Sequence, residues 1–314
     1  MLLPGVKFTP LPSMGAALAA LALATAGCAT ARKSLPPPAV TARAWAVADG
    51  KTGRLLWGFN ADEPRKAAST TKMMCAFVIL ELAQREPAVL DEVVTFSELA
   101  DATSGSTSGV KAGESLPVRE CLYGLLLPSG NDAGNALAEH FNARFAPPDE
   151  AMLTAGLART NLATRVNFIA EMNRTARRLG LTRTIYRLPY GDGGTSDDRT
   201  TTARDLTQLA WHAMQMPAFR GYVGTRHYEC RVRRPDGTFR LVTWENTNRL
   251  LGTDGYDGIK TGTTRSAGCC LVASGHRGKR HLLSAVLGAK ESEDRYTDTR
   301  ALFKWAWEQR GATR

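Results

Sequence analysis

Three short stretches carry hydroxyls, amines and a carboxamide in a set order: Ser69-Thr70-Thr71-Lys72, Ser129-Gly130-Asn131 and Lys260-Thr261-Gly262. A hydroxyl three residues before an amine shares a helix face with it. Such a pair can act as nucleophile and base in acyl transfer, with lysine in the place of histidine. Lysine normally titrates near 10.4, so the base role requires burial or a neighbouring cation, for which Lys260 is the candidate, to push Lys72 down. Ser69 reads as the N-cap of a helix over 69–83, where the dipole and its own N–H favour a developing oxyanion. Ser129 offers a second hydroxyl to relay a proton to a leaving amine, and Asn131 can hold Lys72 or a substrate amide. Lys260 and Thr261 suit a substrate carboxylate. Gly262 lets a substrate backbone approach as an added edge strand, with the Thr263 N–H as second oxyanion donor. Singly, each stretch also has a plain structural reading: a helix start, a turn capped by Asn131, a snorkelling lysine. The argument rests on the set and its order.

The elements that must position these groups follow from pattern. Residues 43–59 read as a hairpin turning at Gly50–Gly53, with Trp45 and Val47 on one face. Helices are predicted over 117–127, 132–141, 167–179 and 202–214, and a Gly- and Asp-rich loop over 189–200. Residues 142–167, with Pro147-Pro148, read as an insertion. Residues 222–244 read as two strands joined at Pro235-Asp236-Gly237, and 257–261, 268–274 and 281–287 as three more. A helix over 291–309 closes the chain. Strands at both ends with helices between predict an α/β (α+β) fold: one antiparallel sheet shared by the chain ends, flanked by helices, with a helical part (about 70–215) inserted.

The 314 residues carry a formal net charge of +10, with 43% hydrophobic and 22% charged residues. That supports a globular core and a dispersed basic surface; no nucleic-acid partner is implied. No zinc, phosphate-loop or dinucleotide spacing is present, so no metal or cofactor is expected. The apolar run from Met14 to Ala26 is too short to span a bilayer comfortably and reads as a signal-peptide core, 1–27. It ends in Thr25-Ala26-Gly27-Cys28, which resembles a bacterial lipoprotein box and makes Cys28 a candidate lipidated first residue. Cleavage after Ala31 is the competing reading. Residues 28–42, with three successive prolines, read as a stiff spacer before a catalytic domain over 43–310. Cys75, Cys121, Cys230, Cys269 and Cys270 are odd in number and read as buried free thiols.

Together with Leu127-Pro128, Leu179-Gly180-Leu181, Asn246-Thr247-Asn248 and Asp257-Gly258-Ile259, the three stretches resemble the serine-type D-alanyl-D-alanine carboxypeptidases, the low-molecular-mass penicillin-binding proteins. The resemblance runs from about Ala44 to Trp307 and implies a β-lactamase/transpeptidase-like fold. It implies Ser69 as acylated nucleophile, Lys72 as its base, and Ser129 and Asn131 as the second element. Lys260 and Thr261 would bind a terminal carboxylate, with Arg295 as a helper whose plain reading is a solvated helix charge. Peptidoglycan stem peptides are the implied substrate and β-lactams the implied inhibitors, at the periplasmic face of a membrane reached through an N-terminal lipid. The chain departs from the family pattern at Ala67, where proline is usual, and at Leu188-Pro189-Tyr190-Gly191-Asp192. The β-rich C-terminal domain of many relatives is not expected here. Alternatives are an endopeptidase acting on cross-links, a β-lactamase, and a cell-wall-binding lipoprotein with weak catalysis.

Overall fold

The computed structural model describes residues 35–153, 163–191, 200–253 and 255–309. The targeting segment with Cys28, and Asp192 of the variant loop, lie outside the described residues. The described part belongs to one unit, Leu35–Arg314.

Strands β1 (Ala44–Asp49) and β2 (Leu55–Phe59) form the expected hairpin. A 3-10 turn (Ala68–Thr71) leads into helix α1 (Lys72–Arg85). Strand β3 (Val93–Thr95), helix α2 (Glu98–Asp101) and strand β4 (Ser115–Pro117) follow. Then come helices α3 (Val118–Leu126), α4 (Asn131–Phe141), α5 (Glu150–Met152), α6 (Val166–Arg178), α7 (Ala203–Gln215) and α8 (Pro217–Gly224). Strands β5 (His227–Arg233), β6 (Phe239–Glu245), β7 (Tyr256–Thr264), β8 (Gly268–Arg277) and β9 (Arg280–Ala289) precede the closing helix α9 (Asp294–Glu308).

One antiparallel sheet, ordered β2-β1-β9-β8-β7, joins the two ends of the chain, as the strand distribution predicts. Both of its faces are covered, so β1 is buried at every residue. Trp45 and Val47 pack with Tyr296, Phe303 and Trp305 of α9, and the small Ala44, Ala46 and Ala48 face the helical side. Helix α1 lies in the larger core cluster; eleven of its fourteen residues are buried. Strand β7 is an edge of this sheet.

Two local expectations change. Tyr222 opens no strand: Pro217 sits in the first turn of α8, where its missing N–H costs nothing, and Tyr222 and Val223 are buried along that helix. A second sheet, β3-β4-β5-β6, uses two three-residue strands too short to leave a period in the sequence. The five described cysteines are free and buried, and burial pushes the Cys75 thiol up to about 12.

Candidate active site

Ser69 does not cap α1. It lies inside the 3-10 turn, and α1 starts at Lys72 without a side-chain cap. The turn is set by Ala68 in the left-handed region, at φ +47°, and by Thr70, whose hydroxyl donates to the Ala67 carbonyl at 2.7 Å. A capping hydroxyl would be spent on a backbone N–H. Here the half-buried Ser69 Oγ faces the Lys72 Nζ at 3.0 Å.

Lys72 is fully buried. Its amine also donates to Asn131 Oδ1 at 2.7 Å and to the Tyr190 carbonyl at 2.8 Å. The orientation of Asn131 follows from its other end, where Nδ2 donates to the Ser104 carbonyl at 2.8 Å. Asn131 is the first residue of α4 rather than its cap; Gly130 holds that position. Ser129 stands in the left-handed region at φ +69°, buried, with no partner for its Oγ among the described residues. Backbone strain of this kind concentrates at functional sites. The turn is braced by Asp132, whose carboxylate accepts from the Ser108 N–H at 2.8 Å, the Ser108 hydroxyl at 2.8 Å and the Thr107 hydroxyl at 2.7 Å.

The third stretch lies on β7. The Lys260 side chain is buried and donates to the Thr261 carbonyl at 3.0 Å. Burial, and secondarily the Arg295 guanidinium, lower its amine from the ordinary lysine value to about 7. Thr261 Oγ1 lies 2.6 Å from Thr247 Oγ1. Arg295, in the first turn of α9, is buried rather than solvated. It donates to Thr263 Oγ1 at 2.8 Å and approaches the Gly262 carbonyl at 3.4 Å.

Gly262 has a use that the sequence does not reveal. A Cβ there would meet Ala68 Cβ and the Ser69 nitrogen at 3.0 Å each, so the missing side chain lets β7 lie against the turn that carries Ser69. Gly191 also approaches this turn closely: at φ +150°, a Cβ there would stand 2.9 Å from the Ala68 carbonyl oxygen. The variant loop is therefore part of the site. Tyr190 supplies a carbonyl to Lys72, and its ring centroid lies 5.9 Å from that amine. Sequence reasoning missed the Tyr190 carbonyl because a backbone acceptor carries no residue signature. It also missed the bracing role of Ser108 and the contact made by Thr247.

The geometry places Ser69, Lys72 and Asn131 in one hydrogen-bonded group, with β7 packed on the turn that holds Ser69. The profile of the D-alanyl-D-alanine carboxypeptidase family matches residues 30–144 and 152–291. The chain is 32% identical over 296 residues to the D-alanyl-D-alanine carboxypeptidase of Streptomyces sp. (strain K15), covering 92% of this chain and 94% of that one. It is 32% identical to the D-alanyl-D-alanine carboxypeptidase DacC of Escherichia coli (strain K12), covering 88% of this chain but 64% of that longer protein. The crystal structure of the Streptomyces K15 DD-transpeptidase superposes with a TM-score of 0.76 at 31% identity, covering 88% of this chain and all of that one. Penicillin-binding protein D2 from Listeria monocytogenes, in its ampicillin-bound form, superposes with a TM-score of 0.69 at 26% identity, covering 87% of this chain and all of that one. By profile, sequence and fold together, this chain belongs to the D-alanyl-D-alanine carboxypeptidase family of serine peptidases.

Proposed function

We propose that the chain removes the terminal D-alanine of peptidoglycan stem peptides through an acyl-enzyme on Ser69. The observation that carries this reading is the arrangement around Lys72. Asn131 Oδ1 and the Tyr190 carbonyl only accept hydrogen bonds. The amine also donates to Ser69 Oγ at 3.0 Å, and in its neutral form it accepts the Ser69 proton across that same contact.

Ser69 Oγ attacks the penultimate D-alanine carbonyl, and its proton passes to Lys72. The unpartnered Ser129 hydroxyl relays a proton to the departing amine as the C–N bond breaks. Water then attacks the ester carbonyl and gives a proton to Lys72, which returns it to Ser69 Oγ as the acyl C–Oγ bond breaks and the shortened peptide leaves. The substrate adds to the β7 edge, with the N–H groups of Ser69 and Thr263 facing the oxyanion. Its terminal carboxylate meets Lys260 and Thr261, with Arg295 behind Gly262 and Thr263. A β-lactam presents the same carbonyl and carboxylate and acylates Ser69. The ampicillin-bound relative supports this.

A cell-wall substrate requires export, which the apolar run 14–26 supports, and Cys28 is the proposed lipid attachment. Mass spectrometry of the membrane fraction checks it; an unmodified, soluble N-terminus sinks the lipid anchor. A second reading, in which an amine rather than water resolves the acyl-enzyme, is favoured by the DD-transpeptidase name of the structural relative. Product analysis with an added D-amino acid separates the two.

The test of function is D-alanine release from a muropeptide pentapeptide. Ser69→Ala should abolish both release and the covalent penicillin adduct, a loss of at least about 10³-fold. Release by the variant at the parent's rate overturns the assignment.

A further inference from the structure

Away from the Ser69 site, the hairpin end of β8 and β9 carries a cluster of different chemistry. His276 and His281 pair directly across the hairpin, and their rings stack at 4.0 Å with 10° between planes. Asp257 stands on β7 where the register shifts between Tyr256 and Gly258, and such irregularities re-aim side chains. Its Oδ2 lies 3.1 Å from His276 Nε2, and its Oδ1 is buried with no hydrogen-bond partner among the described residues. One ligand atom from each of the three residues falls within 4.8 Å of the other two.

We propose that Asp257, His276 and His281 form a binding site for a first-row divalent cation of the zinc type. Two imidazole nitrogens and one carboxylate oxygen are the donor set of open zinc sites, which keep a fourth position for water. Parallel stacked rings do not aim both lone pairs at one ion, so the half-exposed His276 ring turns out of the stack as the cation binds. The site opens to solvent: the side chains of His276 and Asp257 are 48% and 39% exposed. His281 is oriented from behind. Its Nδ1 side packs against Gly50, and Ser274 Oγ lies 2.9 Å from its Nε2. The hydroxyl can rotate away when a cation takes that nitrogen. A backbone group behind the far ring nitrogen is the usual support of a ligating histidine. The purely structural alternative is a solvated His–Asp pair, which contributes little and leaves Oδ1 of Asp257 without a role. A bound cation would tie the start of β7 to β8 and β9. Strand β7 is the edge strand that carries Lys260 and Thr261 three and four residues further on.

The experiment is Zn2+ titration of the EDTA-treated full chain, with Co2+ as a spectroscopic probe. We expect one equivalent of Zn2+, a rise in Tm, and Co2+ bands free of thiolate charge transfer. His276→Ala and Asp257→Asn should each weaken uptake by at least about tenfold. Both should keep the penicillin adduct on Ser69, which shows that the fold is intact. No Zn2+ uptake in molar excess by the parent, uptake unchanged in both variants, or a thiolate signature overturns the proposal.

Discussion

At Lys260, burial opposes the charge that its proposed role as a carboxylate partner requires. An amine held near 7 in place of about 10.4 is biased against its charge by about 4–5 kcal/mol. A substrate carboxylate at about 4 Å, at the effective dielectric of a partly shielded site, returns about 4 kcal/mol. The two are close to balance, so binding of the substrate carboxylate draws a proton from solvent onto Lys260. In the free enzyme the ammonium is present below about pH 7 and is lost as the pH rises through that value. We expect kcat/KM to fall along a basic limb near pH 7, since this ratio reports the free enzyme. Arg295 lowers the Lys260 amine by charge repulsion, so Arg295→Gln should move that limb to higher pH while raising KM. A pH profile of kcat/KM for both proteins checks this, and an unmoved limb removes Lys260 from the carboxylate site.

Among the elements, the turn that carries Ser69 is touched by two glycines from distant parts of the chain. Gly262 on β7 and Gly191 in the variant loop press on Ala68, whose left-handed backbone turns Ser69 toward Lys72. A methyl at Gly262 reaches backbone at 3.0 Å, and backbone does not yield as a flexible side-chain end does. Gly262→Ala should therefore push the turn off β7. A shift of a few tenths of an ångström should slow acylation by about tenfold, less than the roughly 10²-fold of a full ångström, while overpacking costs about 1–3 kcal/mol of stability. Stopped-flow acylation by a fluorescent penicillin, read beside Tm, separates the two: a lower Tm with an unchanged acylation rate refutes the positioning role.

The molecule as a whole is closed by its ends. Strand β1 pairs with β9, and the Asp298 carboxylate of α9 accepts the Thr41 N–H at 3.0 Å, the Thr41 hydroxyl at 2.9 Å and the Ala42 N–H at 2.9 Å. These bonds anchor the chain just ahead of β1. Asp298→Ala leaves two N–H groups without that acceptor. We expect a loss of about 2–4 kcal/mol, and a Tm lower by roughly 5–10 °C. The Ser69 adduct should persist below the transition, because the carboxylate lies on the face of the sheet away from α1. Thermal unfolding with and without bound penicillin checks both points.

What the sequence by itself determined is the chemistry and the order of the parts. Ser69, Lys72, Ser129, Asn131 and Lys260 stand out as candidates because side-chain type and short spacing mark them. The shared sheet is legible because strands cluster at both ends of the chain. Only the tertiary structure decided how those parts touch. Ser69 as a turn residue rather than a cap, the Tyr190 carbonyl on Lys72 and Gly262 against the Ser69 turn all depend on approaches between segments far apart in sequence. The same holds for Asp257 beside His276 and His281, where strand register joins residues that match no linear metal motif. The reason is physical: local propensity and periodicity act over a few residues, whereas backbone acceptors, close packing and register are set by which strands and turns meet.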